Sequence, residues 1–366
     1  MRILVLTKRQ YTGKDLLDDR YGRMFELPTG LAARGHDVVG LAWSYRRRGA
    51  SFRVDGGVRW WSEDMWPSPL AYRRRLEDIV AVVRPEVIWD SSDALHAIIA
   101  ARSGRKWRLP VVTDLYDDYE SFGLTAFPGL RRAFRQACAR VDALSVVSHS
   151  LAAMLPSRME GVPPVKIIGN GVPEAFGQRL VRRVAREWLG LPQDIRLIGT
   201  AGALDSSRGI DDLFRAYNRL REYRSDVRLV VAGPRDRKAG RALGDGVIDL
   251  GVLPNSRIPW LYSALDVGVV CNRDSAFGRA CHPQKLVEML ASELPVVAAA
   301  VGDVAVLLGP YPATLYRPGD SEELAQRLLG QLDSPVKVPA SLASSWSALA
   351  GDLDELLQRA IASHRR

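Results

Sequence analysis

A chain of 366 residues with 51 Lys and Arg against 42 Asp and Glu, a net charge of +9, has room for two ordinary domains. Its 47% hydrophobic and 25% charged residues suit a globular protein with a normal core, and no apolar run approaches the ~20 residues of a membrane span. Three cysteines without a CxxC pair, Cys138, Cys271 and Cys281, and five scattered histidines argue against a disulfide framework and a structural zinc site.

The opening run MRILVLT is too short for a signal peptide's core and cleavage site, so it reads as a strand, Ile3–Thr7, of a cytoplasmic protein. Further strands are expected at Val38–Ala42, Val87–Trp89, Val111–Thr113, Leu144–Val147 and Lys166–Ile168. Helices are expected at Tyr21–Arg34, Leu70–Val83, Leu95–Ser103, Leu130–Arg140 and Leu151–Leu155. Gly35 closes the first helix as its C′ residue. The alternation implies parallel βαβ units in a doubly wound α/β sheet.

The pattern breaks at Asn170-Gly171-Val172-Pro173, and a charged helix over 179–189 follows. A second alternating series then begins. Its strands are expected at Arg196–Gly199, Arg228–Val231, Val247–Leu250, Val267–Val270, Val296–Ala299 and Ala313–Tyr316. Its helices are expected at Ile210–Tyr223, Ile258–Ala264, Pro283–Leu290 and Glu322–Leu332. A last helix, 345–364, looks appended. The expected division is residues 1–173, 174–340 and 341–366.

Most of the chemistry is expected in the second series. His282-Pro283-x-Lys285-x-x-Glu288 opens a helix at the carboxyl end of a sheet, where ligands bind in such folds. Helix amides and Lys285 suit phosphate oxygens, and a carboxylate, which only accepts hydrogen bonds, suits sugar hydroxyls. Gly202 ends the first strand of this half. The small residues that follow let a diphosphate approach the backbone, and Arg208 can grip its oxygens. Gly233, after the next strand, and Val252, after the third, put main-chain groups where a flat base can be read. His282 is expected either to touch the ligand or to cap the helix. In the first half Asp117, in the run Asp114–Glu120, is either a carboxylate beside a reacting sugar or a cap. Asp117-Asp118 lacks the third group a Mg²⁺ site usually needs, so no metal is expected.

Taken in order, Arg208-Gly209, Ala232-Gly233-Pro234, Leu250-Gly251-Val252, Pro283-x-Lys285-x-x-Glu288 and Pro295-Val296-Val297 resemble the donor half of retaining glycosyltransferases of family 4. The segments 31–38, 145–148 and 168–172 resemble junctions of that family's first half. The resemblance implies a GT-B fold: two Rossmann-like domains facing across a cleft, with the last helix crossing back to the first. It implies transfer of a sugar from a nucleotide-sugar donor to an acceptor hydroxyl of a glycolipid or growing surface polysaccharide, without metal or cofactor. Glu288 would hold the ribose, and Arg208 and Lys285 the diphosphate. Where the family usually has a Glu eight residues before Glu288, this chain has Ala280, and no His follows the strand ending at Thr113.

Those departures motivate a rival, a catalytically degenerate fold that binds a sugar nucleotide or a partner. The basic clusters 46–48, 73–75, 102–108 and 131–135 fit a solvated surface, or peripheral contact with anionic membrane helped by Trp60, Trp61 and Trp66. No recognition motif for specific nucleic acid is present.

Overall fold

The computed structural model describes every residue except Thr12, Phe122, Arg179, Ala242 and Arg366, and gives only the backbone of Leu124 and Lys238. Thr12, in the loop after the first strand, and Arg179, expected to open the charged helix, therefore lie outside the described residues. The chain divides into two compact units, Met1–Asn170 with Trp346–Arg366, and Gly171–Ser345.

The first unit starts with β1 (Arg2–Lys8), a small antiparallel pair β2 (Gln10–Tyr11) and β3 (Lys14–Asp15), then α1 (Leu16–Asp19), α2 (Arg23–Ala33) and β4 (Asp37–Ser44). A hairpin follows, β5 (Ser51–Asp55) and β6 (Val58–Asp64), then α3 (Leu70–Val83), β7 (Val87–Ser91), α4 (Ala94–Trp107), β8 (Val111–Leu115), α5 (Pro128–Cys138), β9 (Ala143–Val146), α6 (His149–Arg158) and β10 (Val165–Ile167). The sheet order is β10-β9-β8-β7-β1-β4-β6-β5, parallel except at the β5–β6 edge. Its central strands are buried on both faces, hence their unbroken apolar runs. The hairpin was not expected. Trp60 lies on β6 at 0% exposure, across Gly40 of β4, where any Cβ would sit 2.1 Å from the ring.

The second unit holds α7 (Arg182–Trp188), β11 (Arg196–Ala201), α8 (Ile210–Tyr223), β12 (Val227–Ala232), α9 (Arg237–Arg241), β13 (Val247–Asp249), α10 (Ile258–Ala264) and β14 (Val267–Val270). It continues with α11 (Ala276–Ala280), α12 (Gln284–Ala291), β15 (Val296–Ala299), α13 (Asp303–Leu308), β16 (Leu315–Tyr316) and α14 (Ser321–Asp333). The six strands are all parallel, in the order β13-β12-β11-β14-β15-β16.

The final helix, α15 (Trp346–His364), belongs to the first unit and packs on α2. Gly30 of α2 permits the approach, since a Cβ there would lie 2.5 Å from the Ala350 methyl. No helix among the described residues is long and apolar enough to cross a membrane.

Candidate functional site

Parallel strands put all their carboxyl ends on one side, so β11, β12 and β13 end together. Gly202 follows β11 at φ +98 and Gly233 follows β12 at φ +140, conformations that favour glycine. The Gly202 amide donates to Ala232 O at 2.9 Å, and the Gly233 amide to Gly251 O at 2.7 Å. A Cβ on Gly233 would sit 1.9 Å from the Gly202 carbonyl oxygen, so three strand ends form a bare main-chain rim.

Lys285 reaches this rim from α12: a Cβ on Gly202 would lie 3.7 Å from its Nζ. Arg208, on the turn before Gly209, stacks its guanidinium 4.9 Å from the centre of the Phe277 ring. Burial lowers the pKa of the Lys285 ammonium; the Cys271 thiol opposes that shift and the Arg208 charge adds to it. Two cations held together, one partly desolvated, make a place for an anion.

Glu288 lies three residues after Lys285, nearly one turn on, so it shares the helix face. It is 9% exposed. The Tyr262 hydroxyl donates to its Oε2 at 3.5 Å, a weak bond. Burial pushes its carboxyl up to about 7, against the pull of the Gln284 amide, Lys285 and Tyr262. Its remaining acceptor positions, when the group is ionised, can take hydrogen bonds from a ligand.

Gly202, Arg208, Gly233, Lys285 and Glu288 thus fall in one region of the second unit. Val252 is exposed on the loop after Gly251, and His282 precedes Pro283, the N-cap of α12. Gly209 is the N-cap of α8, and the Asp211 carboxylate in its first turn takes bonds from the Ser206 hydroxyl and the Arg273 guanidinium. Ala280, at the end of α11, is fully buried.

Asp117 is in the other unit. Of its acidic run, Asp114 pairs with Arg23 at 2.6 Å, Asp118 with Arg158 at 2.5 Å and Glu120 with Arg135 at 2.5 Å. The Asp117 Oδ1 accepts the Asp118 amide at 2.7 Å, and its charge acts on Lys8. Lys8, unnoticed in the sequence, ends β1. Its Nζ donates to Ser92 O at 3.1 Å and lies 5.7 Å from the centre of the Tyr116 ring. Burial lowers its pKa, while Asp93 and Asp117 oppose the shift. Asp93 accepts from the Tyr45 hydroxyl at 2.7 Å and meets His96 Nδ1 at 2.9 Å. The sequence carried one clue to Lys8, its place at the carboxyl end of the first strand.

The three tryptophans do not form one exposed face. Trp60 is buried in the sheet, Trp61 packs on Phe52 at 4.5 Å between centroids, and only Trp66 is largely exposed. Among the described residues no three His, Cys, Asp or Glu side chains converge as metal ligands.

Residues 23–176 match the family described as Glycosyltransferase Family 4, and residues 195–334 the family described as Glycosyl transferases group 1. TuaC of Bacillus subtilis, named for teichuronic acid biosynthesis, is 25% identical over 72% of this chain and 66% of its own length. The D-inositol 3-phosphate glycosyltransferase of Stackebrandtia nassauensis is 31% identical over 63% of this chain and 58% of its own length. The chain thus spans under two thirds of both relatives. The sucrose-phosphate synthase of Thermosynechococcus elongatus superposes with a TM-score of 0.79 over 99% of both chains at 17% identity, which shows a shared fold.

Proposed function

Since the chain belongs with the glycosyltransferases, a family 4 domain followed by a group 1 domain on a GT-B fold, we propose that it moves a sugar from a nucleoside-diphosphate donor to an acceptor hydroxyl with retained anomeric configuration. The observation that carries this reading is the meeting of Lys285 and Glu288, on one face of α12, with the bare rim at Gly202 and Gly233. The rim lets a nucleotide lie against the main chain. Glu288 accepts hydrogen bonds from the ribose diol, and Arg208 and Lys285 face the diphosphate.

Departure of the diphosphate develops negative charge where these two cations already stand. Preorganised charge of this kind lowers a barrier without reorganisation, and no metal is needed for it. One oxygen of the leaving diphosphate takes the acceptor's proton on the face where the sugar departs, which gives retention without a covalent enzyme intermediate. Within the first unit, Asp117 and Lys8 hold a carboxylate and an ammonium near one another, groups suited to hydroxyls of an acceptor. TuaC and the inositol phosphate enzyme support a polysaccharide or phosphorylated acceptor class, here a glycolipid or growing surface polysaccharide.

Thermal shift with a panel of nucleoside diphosphates, on wild type and Glu288→Ala, tests the donor site. Stabilisation by one base series, lost in the variant, is expected. If no nucleotide stabilises wild type, the donor reading fails.

A further inference from the structure

The first unit contains a cavity of about 520 Å³ that the sugar-transfer reading does not use. It opens at the amino ends of β8 and β9, the opposite end of the sheet from Lys8 and Asp117. The last turns of α4, the end of α5 and His364 of α15 line it, and it is open to solvent on one side. Gly104 lets α4 settle onto β8, since a Cβ there would lie 2.3 Å from the Val111 side chain.

Four arginines line this one space: Arg102, Arg105, Arg108 and Arg140. Among the described residues none of their guanidiniums has a hydrogen-bond or ion-pair partner. Their neighbours show the contrast, since Arg73, Arg135 and Arg158 each pair with a carboxylate. The one acid in the cavity wall, Asp142, is committed. Its Oδ2 accepts the Val111 amide at 2.8 Å, and its Oδ1 meets His364 Nδ1 at 2.8 Å. The carboxyl end of α4 carries only about half a negative charge, so it accounts for one of these cations and not four. Four unpaired guanidiniums around a concave space repel one another and focus a positive potential there. An anion with several oxygens relieves that repulsion, and phosphate matches the guanidinium fork.

We propose that this cavity is a second anion site, separate from the donor site, that takes a phosphate-bearing ligand. The phosphate is either that of a soluble phosphorylated molecule or that of an anionic lipid headgroup. The chemistry is shared, and the probes separate the sources.

Two double variants carry the test: Arg105→Ala with Arg140→Ala in the cavity, and Arg46→Ala with Arg47→Ala on an exposed loop. Both remove the same charge from exposed positions, and equal melting temperatures show that both fold. Each is titrated with inorganic pyrophosphate, and sedimented with vesicles of phosphatidylcholine alone or mixed with phosphatidylglycerol. Pyrophosphate also reads the donor site, so Arg208→Ala is run beside them to identify that component. The cavity variant is expected to lose about tenfold in affinity for one probe, as the loss of charge-assisted bonds implies, while the loop variant changes by less than about twofold. A loss with pyrophosphate identifies a soluble ligand, and a loss with mixed vesicles alone a headgroup. Equal weakening in both variants, or none in either, overturns the site and leaves a solvated basic surface. A failed donor site removes only the component sensitive to Arg208→Ala, so the two readings fail separately.

Discussion

Glu288 carries a cost in the free protein that its proposed task explains. Burial holds its carboxyl near 7 in the folded chain, whereas an unfolded glutamate titrates near ~4.3. The folded state therefore binds this proton more tightly. Its stabilising contribution is present below pH ~4.3 and is lost as pH rises to about 7, beyond which the ionised group costs up to ~4 kcal/mol. Glu288→Gln keeps the shape and removes the charge. Its melting temperature is expected to exceed that of wild type at about pH 8, with the gap closing as pH falls towards ~4.3. The same variant loses a charged acceptor for two hydroxyls, so calorimetry is expected to show nucleoside diphosphate binding weakened about tenfold. Wild-type affinity itself should fall as pH drops below about 7, because the bound form needs the carboxylate ionised. A flat pH profile in wild type, or a glutamine variant that binds as well, would remove Glu288 from the ribose.

At the scale of elements, the donor rim depends on close approach between strand ends more than on side chains. Gly233 combines φ +140 with a main-chain oxygen 1.9 Å from where its Cβ would be. Gly233→Ala must therefore push β11 and β12 apart at their ends. A loss of about 2 kcal/mol or more is expected in urea unfolding, with nucleotide binding falling further than stability alone explains. By contrast Arg208→Ala, at an exposed residue, should weaken binding and leave the unfolding midpoint nearly unchanged.

These elements also show what can be read from sequence. The strands and helices around the rim were legible because parallel strands buried on both faces leave continuous apolar runs, and α8 and α12 keep helical spacing. Lys285 and Glu288 were legible for the same reason, since a helix puts residues three apart on one face. The β5–β6 hairpin was not, because its residues alternate amid arginines and tryptophans and read as a surface patch. The partners of Asp211, Asp114 and Asp118 were hidden as well. Arg273 lies 62 positions from Asp211, and Arg23 lies 91 from Asp114. Only the fold brings such pairs together.

At the scale of the molecule, the second unit is one continuous stretch, and the first is closed by a helix from the far end of the chain. The two crossing segments are tied within the second unit, where the Val172 amide donates to Ser344 O at 3.0 Å. The helix α15 buries Trp346, Leu349, Leu353, Leu356 and Leu357 in the core that includes Leu27 and Leu31 of α2. Five large apolar side chains at about 1.5–3 kcal/mol each amount to on the order of 10 kcal/mol, comparable to the whole stability of a domain. The Asp354 carboxylate of α15 also meets the Arg34 guanidinium at 3.2 Å and the His36 ring at 3.0 Å. Residues 1–170 alone should therefore fail to fold cooperatively and should recover when 346–366 is supplied as a separate peptide, whereas 171–345 alone should fold and keep nucleotide binding. Circular dichroism melts of the fragments, with and without the peptide, check this. If 1–170 melts cooperatively at the full-length temperature without the peptide, α15 is only an accessory to that core.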